Sequence, residues 1–150
     1  MSLSRTRRAI PPAAEAIDPE PPGTVIAEGF VPGRPVPWVA PKVGRNGGCV
    51  PTRSYKRYQD WQLLVRHTAA VQRPRRKHWP FGGRVELRMR FVLRPRGGRG
   101  NPDTSNIVKS TEDAIQGVLI VNDSQVDRIR VERVFSGTEP EGVSYQVIAL

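Results

Sequence analysis

A group of acidic and polar side chains in the last third of the chain has the chemistry to act on a phosphodiester. Its members are Asp103, Asn106, Lys109, Asp113 and Asp123. Asp103 stands just ahead of a predicted helix. Asn106, Lys109 and Asp113 are spaced i, i+3 and i+7, so they project from one polar face of that helix. Asp123 follows a short apolar segment, and carboxylates at the start of a helix and after a neighbouring segment can converge on one point.

Converging carboxylates would bind a hard cation. Mg²⁺ takes oxygen ligands in proteins, usually one or two carboxylates with water and phosphate oxygens. Such an ion lowers the pKa of a bound water and stabilises charge on a phosphodiester during in-line attack. Ordinary structural roles also exist, with Asp103 as a helix N-cap and Asp123 in a turn. Asp113 and Lys109 could form a surface pair. Spacing alone favours these structural roles.

Positive charge is distributed unevenly along the chain. The 150 residues carry 24 Lys or Arg and 14 Asp or Glu, a net charge of +10. Residues 42–109 hold 17 Lys or Arg against 3 acids, whereas residues 110–150 hold 3 Arg against 7 acids. A basic block of this density fits a phosphate-backbone partner, because neutralising DNA phosphates releases counterions. The alternative is a solvated basic face, and the size of the imbalance favours nucleic acid.

Hydrophobic periodicity predicts strands and helices in the order β-α-β-α-β-β. The strands are 24–31, 84–93, 126–135 and 143–150, and the helices are 55–72 and 105–116. The first helix has an apolar stripe of Tyr58, Trp61, Leu64, Val65, Ala69 and Val71. This order implies an α+β fold, a mixed sheet with two helices packed on one side, with the first strand at an edge. Gly137 and Gly142 predict that the last two strands form a hairpin.

Composition also predicts the domain organisation and the cellular location of the protein. Residues 1–22 are rich in Pro and Ala, which predicts a disordered tail ahead of one domain at 23–150. No apolar run approaches membrane-spanning length, and no apolar signal segment follows the first basic residues, so we expect a cytoplasmic protein without a membrane partner. Cys49 is the only cysteine, which excludes an intramolecular disulfide and a Cys-rich zinc site.

One segment of the chain resembles the active-site segment of RusA-type Holliday-junction resolvases. That family has P-D-x-D-N-L-x-K-x-x-x-D-A-L, then a Gly-containing apolar stretch and D-D-x-Q-V. Residues 102–126 are PDTSNIVKSTEDAIQGVLIVNDSQV and follow this pattern without a gap. Upstream, residues 33–38 and 52–55 are similar to the family's G-x-P-x-P and T-x-x-Y segments. The resemblance covers residues 24–135 and has several independent positions in order.

The resemblance implies a homodimeric endodeoxyribonuclease of RusA-like fold. Such an enzyme binds four-way DNA junctions and makes paired, symmetric nicks with Mg²⁺ or Mn²⁺, in recombination and repair. By the match, Asp103 and Asp123 correspond to metal-binding catalytic acids. Lys109 corresponds to a functional lysine near the scissile phosphate, and Asp113 to the acid on the helix face, which we include in the catalytic and metal-binding set.

Two positions depart from the family pattern, since Ser105 stands for the second acid of P-D-x-D-N and Asn122 for the first acid of D-D-x-Q. Glu112 lies two helical turns from Ser105 on the same side and could supply the missing metal ligand. The alternative is a protein of the same fold that binds branched DNA and cuts it weakly or not at all. An RNA-associated basic protein would explain the charge but not the acids beside Lys109.

Cations and polar groups around the acidic site are expected to hold the arms of a junction. The predicted DNA-binding residues are Lys42, Arg45, Arg53, Lys56, Arg57, Arg99 and Asn106. Cations at these positions would offset the repulsion between concentrated carboxylates and DNA phosphates. Trp38, Trp79 and Phe81 could stack on unpaired bases, although packing in the core is the favoured role for each.

Overall fold

The computed structural model describes residues 20–97 and 100–150. Its strands are β1 (Val25–Pro32), β2 (Lys42–Val43), β3 (Cys49–Val50), β4 (Val85–Leu93), β5 (Val126–Phe135) and β6 (Gly142–Ala149). Its helices are α1 (Arg53–Gln72) and α2 (Thr104–Ile115), and a short 3-10 turn covers Asp123–Gln125. The predicted order is confirmed, and a small β2–β3 hairpin is added between β1 and α1. Most of the predicted tail, residues 1–19, lies outside the described residues, whereas Glu20 pairs with Arg76 at 2.6 Å.

The main sheet has four strands in the order β1-β6-β4-β5. β4 pairs antiparallel with β6 and parallel with β5, so the sheet is mixed and the predicted α+β fold with an edge strand at β1 is confirmed. The predicted hairpin between the last two strands is wrong, because β4 lies between them. The physical reason is composition: β6 is almost wholly buried and takes a central place, whereas β5, rich in Arg and Glu, takes the edge.

The core lies between one face of the sheet and the two helices. Alternation in β4 places Leu87, Met89 and Phe91 inside and leaves the side chain of Arg88 on the open face. The buried side chains of α1 are Tyr58, Trp61, Val65 and Ala69, and those of α2 include Ile107, Thr111, Ala114 and Ile115. Leu64 and Val71, predicted to face the core, are 39% and 71% exposed, because the face of α1 turned to the sheet is narrower than the predicted stripe.

Two capping arrangements define where the helices begin and end. The hydroxyl of Thr52 accepts a hydrogen bond from the backbone N–H of Tyr55 at 3.1 Å, which starts α1. Arg66 of α1 donates to the carbonyl oxygens of Ala114 and Gln116 at 3.3 and 2.9 Å, which binds α1 to the C-terminal end of α2. Within residues 20–97 and 100–150, neither helix is long and apolar enough to cross a membrane.

Truncation of the centre of the core should destabilise the fold. Phe91 is 0% exposed on the central strand β4, so we expect Phe91→Ala to lower the free energy of unfolding by about 3–5 kcal/mol. Leu63 on α1 is 65% exposed, and we expect Leu63→Ala to change it by less than about 0.5 kcal/mol. Urea unfolding monitored by circular dichroism measures both variants. Equal losses would contradict the position of the core.

Candidate nuclease site

A cleft of about 780 Å³ opens beside the N-terminal end of α2. Its lining includes Arg34, Arg57, Arg96, Asp103, Asn106 and Trp38. Three guanidinium groups against one carboxylate give this cleft an excess of positive charge. It therefore brings Arg57, Asp103 and Asn106, all predicted from sequence, into one basic depression that suits a phosphodiester backbone.

Arg34 fixes the walls of this cleft. Its guanidinium donates to the carbonyl oxygens of Arg94 and Gly100 at 3.3 and 3.0 Å, and to the carboxylate of Glu141 at 3.0 Å. These bonds tie the loop after β4 to the segment before β6. On the other wall, the backbone N–H of Trp38 donates to the carbonyl oxygen of Asn106 at 3.0 Å. The walls of the cleft are thus held by the Arg34 side chain and by one backbone hydrogen bond between Trp38 and Asn106.

Asp103 precedes the first residue of α2 but does not cap the helix with its side chain. Its backbone occupies the N-cap position with extended geometry, and its carboxylate makes no capping hydrogen bond. The side chain is exposed at the cleft. An exposed carboxylate at a helix N-terminus with no capping role is available for a ligand, which counts against the ordinary structural interpretation of this residue.

Lys109 packs its ammonium against an aromatic ring. Its Nζ lies 4.4 Å from the centroid of the Trp38 ring, a cation–π arrangement. Lys109 and Asp113 form no ion pair, so the predicted surface pair is absent. The contact with Trp38 holds the lysine charge on the polar face of α2, between the cleft at Asp103 and the acids at the other end of the helix.

A second acidic group lies at the C-terminal half of α2. Burial raises the pKa of Glu112, and the negative charges of Asp123 and Asp113 raise it further, whereas Lys109 lowers it. Burial also raises the pKa of Asp113, with Lys109 opposing and Asp123 adding to the rise. Glu112, Asp113 and Asp123 therefore share one electrostatic neighbourhood, and their mutual repulsion favours binding of positive charge there.

Gln125 holds the turn that carries Asp123. Its side-chain oxygen accepts from the backbone N–H groups of Val121 and Asn122 at 2.7 and 3.0 Å. Its side-chain nitrogen donates to the carbonyl oxygens of Phe81 and Gly83 at 2.8 and 2.7 Å. All four hydrogen-bonding positions of the amide are used, and the residue is buried. The Gln of the D-D-x-Q pattern thus positions the neighbouring acid.

Asn122 caps the same turn. Its side-chain oxygen accepts from the backbone N–H of Ser124 at 2.8 Å, and with Gln125 it completes a capping box. Asn and Asp are equally good acceptors at such a position. Asn in place of the family's acid therefore keeps the local structure and removes one negative charge beside Asp123.

The acids of one chain lie at opposite ends of α2. β4 and β5 are parallel, with Val85 opposite Val126, so Asp123 lies at the start of β4 whereas Asp103 follows its end. Ten residues of helix separate Asp103 from Asp113, a rise of about 15 Å. Among residues 20–97 and 100–150, no three His, Cys, Asp or Glu side chains are grouped closely enough to hold a metal ion. Oxygen ligands are the right chemistry for Mg²⁺, but their arrangement in a single chain does not fit a shared ion.

Most of the predicted DNA-binding side chains are exposed. Arg53, Lys56 and Arg57 lie on the first turns of α1, and Lys42 lies on β2, close to the exposed Arg45 in the turn. Arg99 lies outside the described residues. Arg66, Arg73 and Arg76, from the same basic block, bind backbone oxygens or Glu20 instead, so part of that charge is structural.

The three aromatic residues with a possible stacking role differ in their surroundings. Phe81 is buried in the core, as favoured. Trp79 is partly buried, lies beneath Arg73 and Arg76, and donates from its ring nitrogen to the carbonyl oxygen of Pro74. Trp38 is half-buried at the cleft, where it meets Lys109. Only Trp38 borders the candidate site.

Sequence reasoning missed several residues that build the site. Arg34 and Gln125 position other groups through hydrogen bonds that cross between distant segments. Arg133 of β5 donates to the carbonyl oxygen of Pro102 at 2.7 Å and so supports the residue before Asp103. The Q of D-D-x-Q was a usable signal for Gln125. No local pattern marks Arg34 or Arg133, because their partners are 60 and 31 residues away.

A basic cleft beside exposed carboxylates, on a two-layer α+β scaffold, is typical of proteins that act on phosphodiesters. The family model described as Endodeoxyribonuclease RusA matches residues 32–145, which is more than half of the chain. The chain therefore belongs to the RusA endodeoxyribonuclease family, and the resemblance found in the sequence is confirmed. A search of curated proteins finds no match.

Removing the ionised group at Glu112 should stabilise the protein at neutral pH. Because the pKa of Glu112 is raised in the fold, the folded state binds the proton more tightly than the unfolded state. Stability is therefore lost as pH rises from the unfolded pKa, about 4.3, through the folded pKa. In EDTA at pH 7, we expect the urea midpoint of unfolding to be higher for Glu112→Gln than for the wild type. At pH 3.5 the two midpoints should be equal.

Glu139 is the control, because its pKa is shifted in the opposite direction to that of Glu112. A hydrogen bond from Arg90 lowers the pKa of Glu139, so its ionised form stabilises the fold. We expect Glu139→Gln to lower the urea midpoint at pH 7, with a deficit that shrinks as pH falls through the lowered folded pKa. If both variants shift the midpoint in the same direction at pH 7, the electrostatic account of Glu112 is wrong.

Proposed function

We propose that this protein is a structure-selective endodeoxyribonuclease that resolves four-way DNA junctions by metal-dependent, paired phosphodiester hydrolysis. The single observation that carries the proposal is the basic cleft in which Asp103, Asn106 and Arg57 meet, on a chain of the RusA family. We place its activity in recombination and repair, in the cytoplasm, as a homodimer.

Each predicted side chain has a role in this proposal. Arg57 and Asn106 would bind the phosphate backbone in the cleft, because guanidinium and amide groups donate to phosphate oxygens. Lys109, held against Trp38, would neutralise charge at the scissile phosphate. Asp103, Asp123, Asp113 and Glu112 are the residues that would hold Mg²⁺ or Mn²⁺ in the proposed homodimer, since within one chain Asp103 lies at the opposite end of α2 from the other three. The ion when bound would supply an activated water and charge stabilisation.

A second candidate function rests on Ser105 and Asn122. Both positions lack an acid that the family pattern has, and the acids of one chain do not converge. A protein with the same basic cleft and a weak metal site would bind branched DNA and cut it slowly or not at all. The two functions differ only in cleavage, since both require the positive surface.

Replacing Asp123 should separate binding from cleavage. We expect Asp123→Asn to lower the rate of junction cleavage by about 100-fold or more, as for other groups that act in the transition state. Binding should be unchanged or tighter, because removing a negative charge does not weaken attraction to phosphate. Gel-shift and nicking assays on one labelled junction measure both quantities.

The control for this variant is Asp60→Asn, which removes an exposed acid from the surface of α1. It should cut at the wild-type rate. Loss of binding by Asp123→Asn would instead indicate that Asp123 is needed for folding. Full cleavage by Asp123→Asn would exclude it from the active site.

The basic start of α1 should contribute to junction affinity. We expect Lys56→Ala/Arg57→Ala to bind a four-way junction more weakly and to reduce the slope of log affinity against log salt by about 2, one unit for each lost phosphate contact. The matched control is Arg75→Ala/Lys77→Ala, which removes two exposed cations after α1. If the first variant leaves affinity and slope unchanged, this end of α1 is not the DNA-binding surface.

A further inference from the structure

The main sheet has an open face, opposite the helices, that carries many charged side chains. The parallel register places Glu86 of β4 beside Arg128 of β5. It also places Arg88 beside Arg130, and side chains that are neighbours in register share a face. A groove of about 530 Å³ crosses this face, and its lining includes Arg88, Arg130 and Glu132. Of the described residues, none lines both this groove and the cleft beside α2.

Three guanidinium groups gather around the carboxylate of Glu86, which is 3% exposed. Arg88 donates from Nε to its Oε1 at 2.6 Å, and Nε of Arg130 lies 3.1 Å from the same oxygen. Nη1 of Arg128 lies 3.8 Å from Oε2. The hydrogen bond from Arg88 and the neighbouring positive charges lower the pKa of Glu86, although burial opposes the shift. Three positive charges and one negative charge leave this arginine cluster, Arg88, Arg128 and Arg130, with an excess of two positive charges.

The next arginine along β4 has no such excess. Arg90 pairs with two carboxylates, those of Glu132 and Glu139, at 3.1 and 2.6 Å. In the described part of the chain, by contrast, Glu86 is the only carboxylate that pairs with Arg128 or Arg130. The side chains of these two arginines are 64% and 67% exposed, so their unmatched charge is open to a ligand.

The positive excess is local to the arginine cluster. The strands of the open face and the loop before β6 carry equal numbers of the two charges, Arg88, Arg90, Arg128 and Arg130 against Glu28, Glu86, Glu132 and Glu139. A long polyanion such as duplex DNA would cross the acids as well as the arginines, and repulsion would offset the attraction. A compact anion can contact the arginine cluster alone.

Charge and geometry select a phosphate group as that anion. Guanidinium groups bind phosphate through paired N–H donors, and several of them can share one phosphate because it has several acceptor oxygens. A phosphate monoester carries a charge of about −1.5 to −2 at pH 7, which matches the excess of two positive charges. A single carboxylate would neutralise only half of that excess.

We infer that the arginine cluster, held in place by Glu86, binds a compact phosphate dianion, either inorganic phosphate or a small phosphate monoester. The inference does not rest on the proposed nuclease function, and its site is separate from the cleft. The bound anion would also reduce the repulsion between the three guanidinium groups. Because the cluster exists only in the folded chain, binding stabilises the folded state.

Thermal unfolding at neutral pH tests the site with inorganic phosphate against chloride at equal ionic strength. At about ten times its dissociation constant, phosphate should raise the Tm of the wild type by about 3–7 °C. For Arg128→Gln and for Arg130→Gln, the apparent dissociation constant should rise about tenfold. Phosphate also stabilises proteins as a salt, but this effect is common to all variants, so the difference between variants reports the site.

Variants that remove a single charge test whether the binding is electrostatic and local. Glu132→Gln removes an exposed acid that lines the groove, so it should bind phosphate more tightly. Arg75→Gln and Asp60→Asn remove exposed charges outside the open face and should bind as the wild type does. A wild type that responds to phosphate no more than Arg130→Gln does would overturn the site. An equal loss of affinity in Arg75→Gln would also overturn it, because binding would then follow net charge.

Two further arms identify the source of the phosphate. A lower dissociation constant for deoxyadenosine monophosphate than for inorganic phosphate would assign a small monoester, and equal constants would assign the phosphate group alone. Arg130→Gln should bind a four-way junction with the affinity and salt dependence of the wild type. A slope of log affinity against log salt reduced by about 1 would overturn the inference and assign the open face to the DNA backbone. None of these measurements depends on cleavage, so a protein that does not cut leaves the test intact.

Discussion

The crossover from β4 through α2 to β5 is the constraint on which the rest of the structure depends. Because it returns the chain to the start of β4, β5 must run parallel to β4, and α2 must span the distance between them. The residues just before α2 are then placed at one end of the sheet and the turn just after it at the other. The separation of Asp103 from Asp123 is a direct consequence.

Three hydrogen-bonded side chains hold this crossover in place. Arg66 closes the C-terminal end of α2, and Gln125 ties the turn at Asp123 to the segment after α1. Arg133 supports the opposite end at Pro102. The acids themselves are exposed or half-buried on these supports. Burial, with repulsion from Asp123 and Asp113, raises the pKa of Glu112. A site under such repulsion is suited to bind a cation or to meet one held by DNA.

The sequence allowed prediction of what depends on short-range patterns. The buried face of β4 was predicted from alternation, α2 from helical spacing and the family from the ordered motif. The roles of Asp103, Lys109 and Asp123 stay predictions. It did not allow prediction of the strand order, because the glycines before β6 indicate a turn but not which strands pair. The predicted convergence of Asp103 and Asp123 is not found within one chain, because it depends on the direction of α2 across the sheet. Arg34 and Gln125 act through contacts that only the folded chain creates.

The central claim, that this chain hydrolyses four-way junctions, is tested most directly by incubating the wild-type protein with a labelled junction in Mg²⁺ and in EDTA. A linear duplex of the same sequence serves as the competing substrate. The account predicts that the junction is bound in both buffers and nicked at symmetric positions only in Mg²⁺, while the duplex stays intact. A junction that is bound but uncut in both Mg²⁺ and Mn²⁺ would contradict it and identify a branched-DNA-binding protein.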